Sequence, residues 1–81
     1  MAQVTKELLT VNEIAGELGV TPRALRFYET KGLILPLRAG TTRVYTRRDR
    51  GRLMLILRGK RLGFSLVEIK EYLDLYNTDR G

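Results

Sequence analysis

Cysteine and histidine are both absent from the 81 residues. Their absence removes disulfides, zinc-finger ligation and every thiol or imidazole mechanism from this sequence, and leaves the redox compartment open. The nine acids are scattered over separate predicted helices, with no pair flanking a recognisable pocket, and the glycines follow no phosphate-loop spacing. No enzyme, cofactor or metal site is expected. No apolar run approaches the roughly eighteen residues that a membrane span needs, and the opening MAQVTKELLT has no hydrophobic core of a secretion signal. The expectation is a cytoplasmic protein with no membrane partner.

Positive charge is plentiful, and it is unevenly placed. The formal net charge is +6. Residues 1–20 carry one base and three acids, residues 21–61 twelve bases and two acids, and residues 62–81 two bases and four acids. A basic middle between mildly acidic ends is the electrostatic footprint of a surface that meets phosphate. Arginine that merely solvates a small domain is the plainer alternative, and the density of bases speaks against it. With 43% hydrophobic and 30% charged residues the composition is that of one ordinary folded domain with a modest core.

Start and stop signals divide the chain. Residues 1–9 read as a polar lead-in with a short apolar end. Thr10 and Glu13 have capping-box spacing, Leu9 and Ile14 staple spacing, and Ile14, Ala15 and Leu18 form an apolar stripe, so a helix is predicted over 10–18 with Gly19 as its stop. Thr21 followed by Pro22 starts a second helix at once, over 21–31, with Gly32 as its exit. Two short helices about a Gly-Val-Thr turn outline a helix-turn-helix. Small Ala15 would allow a close crossing, and Val20 would fill the corner. A wing is predicted over 33–45, with Leu33-Ile34-Leu35 and Arg43-Val44-Tyr45 as its strands. A third helix is predicted over 46–59, with Gly51 inside it at a cost of about 1 kcal/mol against Ala and Gly59 weakening its end. Ser65 and Glu68 cap a fourth over 65–77, with Phe64 and Ile69 at staple spacing and Ile69, Leu73 and Tyr76 on one face. Residues 78–81 form a tail. The fold class is therefore mainly α with a small β-ribbon, a winged helix-turn-helix with an added C-terminal helix pair.

The runs TVNEIAGELGVTPRALRFYETKGLI, RVYTRRD and LILRGKRLGFSLVEIKEYLDL, spanning Leu9 to Leu75, resemble the N-terminal domain of the MerR family of bacterial transcriptional regulators. The stretch RRDRGRLMLILRGKRLGFSL is similar to a subgroup, the liu-type regulators of branched-chain amino acid catabolism. The resemblance implies a second helix lying in the major groove of double-stranded DNA and a ribbon on the backbone or minor groove. It implies homodimers joined by a long helix beyond Tyr76, bound to a pseudo-palindrome between promoter elements, and acting on RNA polymerase indirectly by bending and untwisting that DNA. The sequence departs from the family pattern by ending at Gly81, before the dimerisation helix and effector region; it is either a piece of a longer regulator or a short variant. In the family, metal-sensing cysteines lie mostly in that further part.

Candidate DNA contacts follow from residue type and, in places, from the resemblance. Arg23 and Arg26, three apart, share a helix face, and Arg suits both guanine edges and phosphate. Thr21 stands at a helix start that can offer amides or a hydroxyl to phosphate. Tyr28 resembles a family position on the DNA backbone, with a ring partly buried against the wing as its alternative, and Phe27 is either core or contact. Glu29 is expected to pair with a nearby Arg, since an acid facing phosphate would be repelled. Arg43 and Tyr45 match the R.Y signature, Tyr45 either touching phosphate or anchoring the ribbon, and Arg38 stands in the wing loop. Arg47 and Arg48 open the third helix, where the helix dipole disfavours positive charge, which points to phosphate contact. Arg58, Lys60 and Arg61 are more simply a solvated face. Two further readings remain: an architectural or recombination-directing protein that bends DNA, and a protein-interaction module using the apolar edge of the fourth helix with Tyr72 and Tyr76.

Overall fold

The computed structural model describes the backbone of residues 8–78 and the side chains of residues 8–75. The first seven residues, the end of the tail and the Tyr76 side chain lie outside the described residues. Seven elements follow in order: β1 (Leu8–Thr10), α1 (Val11–Leu18), α2 (Pro22–Thr30), β2 (Leu37–Ala39), β3 (Thr42–Thr46), α3 (Arg47–Arg61) and α4 (Leu66–Thr78). This is a winged helix-turn-helix with a helix pair added.

Local signals explain where the helices start. Thr10 Oγ1 accepts from the Glu13 amide at 3.1 Å, and the Glu13 carboxylate accepts from the Thr10 amide at 2.9 Å, closing a capping box on α1. Gly19 ends α1 at φ 70°, a left-handed conformation that glycine adopts without steric penalty. Thr21 Oγ1 then accepts from the Ala24 amide, with Pro22 in the first turn of α2. Ser65 and Glu68 exchange the same reciprocal bonds before α4.

Three expectations are corrected. The apolar end of the lead-in is β1, which pairs antiparallel with β3 and sets Leu9 opposite Tyr45, so the ribbon is a three-stranded sheet ordered β1-β3-β2. Residues 33–35 are not a strand. Leu33 and Ile34 are fully buried core plugs in a loop, and no neighbouring strand satisfies their backbone. Other groups do so: the Leu33 amide donates to Tyr28 O, Arg52 Nε donates to Leu33 O at 2.8 Å, and the Leu35 amide donates to Asp49 Oδ1. The first wing strand lies further on, at Leu37–Ala39, joined to β3 by a Gly40-Thr41 turn with Gly40 at positive φ, as tight hairpin turns require. Finally, α3 continues past Gly59 to Arg61. A Cβ on Gly59 would stand 2.9 Å from Ile69 Cγ1, so the missing side chain lets α4 pack closely against α3.

The core gathers Ile14 of α1, Leu25 of α2, Tyr45 of β3, Leu53 and Ile56 of α3, and Leu73 of α4, all fully enclosed, with Leu33 and Ile34 wedged between them. Ala15 is buried where α1 meets α2, and Val20 packs on the same core from the turn. Asp49, 4% exposed, accepts from the Thr46 amide, the Thr46 hydroxyl and the Leu35 amide, and so pins the start of α3 to the loop after α2. Thr46 returns the bond through its Oγ1.

Candidate nucleic-acid interface

Helix α2 has one inward and one outward side. Leu25 and Tyr28 face the core, while Arg23, Arg26, Phe27 and Thr30 are exposed at spacings of three and four. Neither the Arg23 nor the Arg26 side chain makes a hydrogen bond or ion pair with the described residues. Phe27 is 44% exposed, edge-on to Tyr28 with ring centroids 5.8 Å apart and with Lys31 Nζ 5.4 Å from its own ring centre. It belongs to the outer surface and not to the core. Thr21 is exposed as the cap, its hydroxyl already accepting one amide.

The two tyrosines go inward. Tyr28 is 6% exposed, and burial raises its phenol above the ordinary value. Tyr45 is fully enclosed, and its hydroxyl meets no hydrogen-bond partner. Its phenol is raised first by burial and then by the Glu29 carboxylate, against a smaller lowering by Arg43. Tyr45 is therefore the anchor of the ribbon, packed between the helices. As a phosphate contact it is withdrawn, because no surface of it reaches solvent. Tyr28 keeps only a rim.

Glu29 joins the wing to α2. Arg43 Nε donates to Glu29 Oε1 at 2.7 Å, and the Arg38 guanidinium stands 3.6 Å from Glu29 Oε2. Arg38 and Arg43 are directly paired across β2 and β3, which puts them on one face of the wing. Arg43 also lines a recess of about 440 Å³ with Arg26, Thr42, Pro22, the cap Thr10 and the first residues of α1, Val11 and Asn12. Two arginines and two helix starts thus converge on one hollow, an arrangement suited to an anion. The contribution of Thr10, Val11 and Asn12 had no sequence signal beyond the cap, because β1 had not been recognised as the strand that delivers them.

The remaining bases divide by partner. Arg47 and Arg48 are exposed in the first turn of α3. Arg50 is drawn off to Glu17 on α1 at 2.6 Å, a bond that raises its pKa, and Arg52 is turned inward to Leu33, where burial lowers its pKa. Arg58, Lys60 and Arg61 fall in the last turn of α3, where positive charge complements the helix dipole. No cluster of possible metal ligands occurs among the described residues, and none of their helices is long and apolar enough to cross a membrane.

A second recess is different in kind. Leu55, Leu62, Phe64, Ile69 and Tyr72 line an apolar groove of about 380 Å³ between α3 and α4, rimmed by Arg58 and Glu68. The expected staple residues Phe64 and Ile69 both lie in it, but Phe64 remains 53% exposed.

A family model described as the MerR HTH family regulatory protein matches residues 9–75. The HTH-type transcriptional regulator CueR of Salmonella typhi is 36% identical over 74 residues, which cover 89% of this chain and 54% of that protein. CueR of Vibrio cholerae is 42% identical over 71 residues, covering 85% and 51%. Among solved structures, a MerR family regulator from Bacillus cereus has a TM-score of 0.75 at 37% identity, over 82% of this chain and 51% of its own. HiNmlR, a MerR family regulator lacking the sensor domain and bound to promoter DNA, has a TM-score of 0.77 at 27% identity, over 88% and 55%. The chain spans about half the length of the curated relatives it matches. Family model, relatives and fold agree: this chain belongs to the MerR family of HTH regulatory proteins.

Proposed function

We propose that this chain is the DNA-reading part of a cytoplasmic transcriptional regulator, a binding protein and not a catalyst. Helix α2 enters the major groove, and the wing lies on the sugar-phosphate backbone. The observation that carries this is the outer face of α2, where Arg23, Arg26, Phe27 and Thr30 stand exposed and the two arginines have no partner among the described residues. Arg38 and Arg43 of the wing, tied to Glu29 of the same helix, add positive charge beside it, and Arg47 and Arg48 of α3 are further exposed cations. Most of these groups would contact phosphate and set position, while base readout falls to α2. Two copies on a pseudo-palindromic promoter operator would act on RNA polymerase through the shape of the DNA. The exposed apolar groove between α3 and α4, lined by no residue of α2 or the wing, supports a separate protein contact.

Titration against a random duplex and a pool-selected palindromic duplex, over a series of salt concentrations, tests the reading. The wild-type chain is expected to prefer the selected duplex and to weaken steeply with salt. Arg26→Ala is expected to lose about 1–3 kcal/mol on the selected duplex and to relax the preference. Arg43→Ala is expected to weaken both duplexes alike and lower the salt slope by about one. Equal binding to both duplexes favours an architectural DNA-bending role. Absence of binding at low salt, even with the chain fused to a dimerising helix, overturns the DNA reading and leaves the interaction groove.

A further inference from the structure

Only two acids occur among residues 21–61, Glu29 and Asp49. Asp49 is buried and fully used by Thr46 and Leu35. Glu29 is different, because it is partly exposed at the edge of the basic face, where a carboxylate should repel phosphate. Its side chain is 22% exposed, beside Arg43 at 29% and Arg38 at 51%. Arg26 precedes it by one turn on α2 and shares the recess with Arg43.

We infer that Glu29 is a specificity-determining residue of this interface, a carboxylate that holds both wing arginines and makes their grip on DNA conditional on the seating of α2. The inference rests on the DNA reading above, and two physical effects follow from the geometry. The first is charge. Arg38 and Arg43 face one another across the ribbon, a like-charge pair that disfavours itself. Glu29 offsets one of the two charges, so an approaching phosphate meets a trio of net charge +1. Sequence-independent affinity is almost entirely phosphate attraction, and Glu29 lowers it.

The second effect is aim. Among the described residues the one side-chain hydrogen bond of Arg43 uses Nε, at 2.7 Å to Glu29. Its two terminal amino groups make none with the described residues, and they belong to a side chain lining the recess that Arg26 also lines. A freely rotating arginine can find a phosphate in any register of the duplex. One held at Nε by α2 presents its fork in a direction fixed relative to the reading helix, and that matches a phosphate only when α2 is properly seated. Freeing it therefore benefits random DNA more than the selected site. Nothing in the capping, the core or the turns requires an acid at this position: among the described residues the Glu29 side chain bonds to the wing alone.

The test compares the wild-type chain with Glu29→Gln on both duplexes across the salt series. Glu29→Gln is expected to bind the random duplex roughly two- to fivefold more tightly, the range of one exposed charge contact. Its log–log salt slope should steepen by about one, because one more cation is free to displace counterions. The selected duplex should gain less, so the preference falls. In an Arg43→Gln background the same substitution should change random-duplex affinity by less than half as much. An unchanged slope, or weaker binding to both duplexes at an unchanged melting temperature, overturns the inference and makes Glu29 a structural brace only. Should Glu29→Gln fail to fold, Glu29→Asp decides: it keeps the charge and shortens the reach, so a wild-type slope with a lower preference supports the inference, and a steeper slope overturns it. A wild-type chain that binds neither duplex removes the DNA reading itself, before any variant is compared.

Discussion

Arginine on α2 and arginine on α3 meet different fates. Arg23 and Arg26 project from α2 with no partner among the described residues, whereas on α3 Arg50 binds Glu17 and Arg52 binds the Leu33 carbonyl. By composition α3 is the more basic helix, with six arginines to the two of α2. A count of charges alone would therefore point to α3, whereas the proposed reading face is on α2. Two of the α3 arginines hold the fold together, and two more in its last turn neighbour carbonyls that favour a cation. A cation turned inward to a partner in the fold is less available to a ligand than one left exposed, so the surroundings of each cation, and not the sum, bear on where an interface can lie.

The comparison can be broken or sharpened by substitution. The largest expected effect is on the tie between α3 and the loop that follows α2. Asp49→Ala removes one carboxylate that accepts three donors in a nearly closed site, and should lower stability by about 3 kcal/mol. Denaturant unfolding would measure it; a change under 1 kcal/mol would mean that the Leu35 and Thr46 donors find water. Next comes Gly59→Ala. The helix propensity gain of about 1 kcal/mol opposes the clash with Ile69, whose overpacking costs about 1–3 kcal/mol, so a net loss of stability is expected. A gain would show that α4 can shift away without penalty.

Arg52→Ala should lower stability by about 1.5 kcal/mol, through loss of a hydrogen bond from a charged group to a buried carbonyl. Its DNA salt slope should stay at the wild-type value, in contrast to Arg43→Ala. A reduced slope in Arg52→Ala would erase the distinction between anchoring and contacting arginines. The smallest effect is expected at Tyr45, where Phe removes an enclosed hydroxyl without a partner; stability should stay level or rise by about 1 kcal/mol. The raised Tyr45 phenol also fixes a pH dependence. Above about pH 10 the unfolded chain loses the phenolic proton while the folded chain keeps it, so the contribution is complete below pH 10 and is lost as pH rises towards the folded-state value. Tyr45→Phe should flatten that alkaline decline, and identical alkaline curves for both proteins would contradict the enclosure of the ring.

The helix starts were legible because their causes are local. Thr10 with Glu13, Thr21 with Ala24, and Ser65 with Glu68 each place donor and acceptor within four residues of chain. The exposed face of α2 was legible for the same reason, since helical spacing alone puts Arg23 and Arg26 together. The wing was misplaced because the apolar run at 33–35 satisfies both a strand and a buried loop. What separates them is Asp49 and Arg52, which supply backbone partners from fourteen and nineteen residues away. Strand β1 was missed because a three-residue strand has little signal of its own, and its pairing with β3 spans more than thirty residues of chain.

By itself the sequence determined which residues begin helices, which face of α2 carries arginine, and where basic charge concentrates, because capping, helical period and composition act over a few residues. Tertiary structure alone decided which cations remain free. It turned Tyr28 and Tyr45 inward, sent Arg50 and Arg52 to internal partners, and brought Arg43, Arg38 and Glu29 together from three separate elements. Burial and ion pairing depend on what the chain brings alongside each side chain, and those neighbours are distant in sequence.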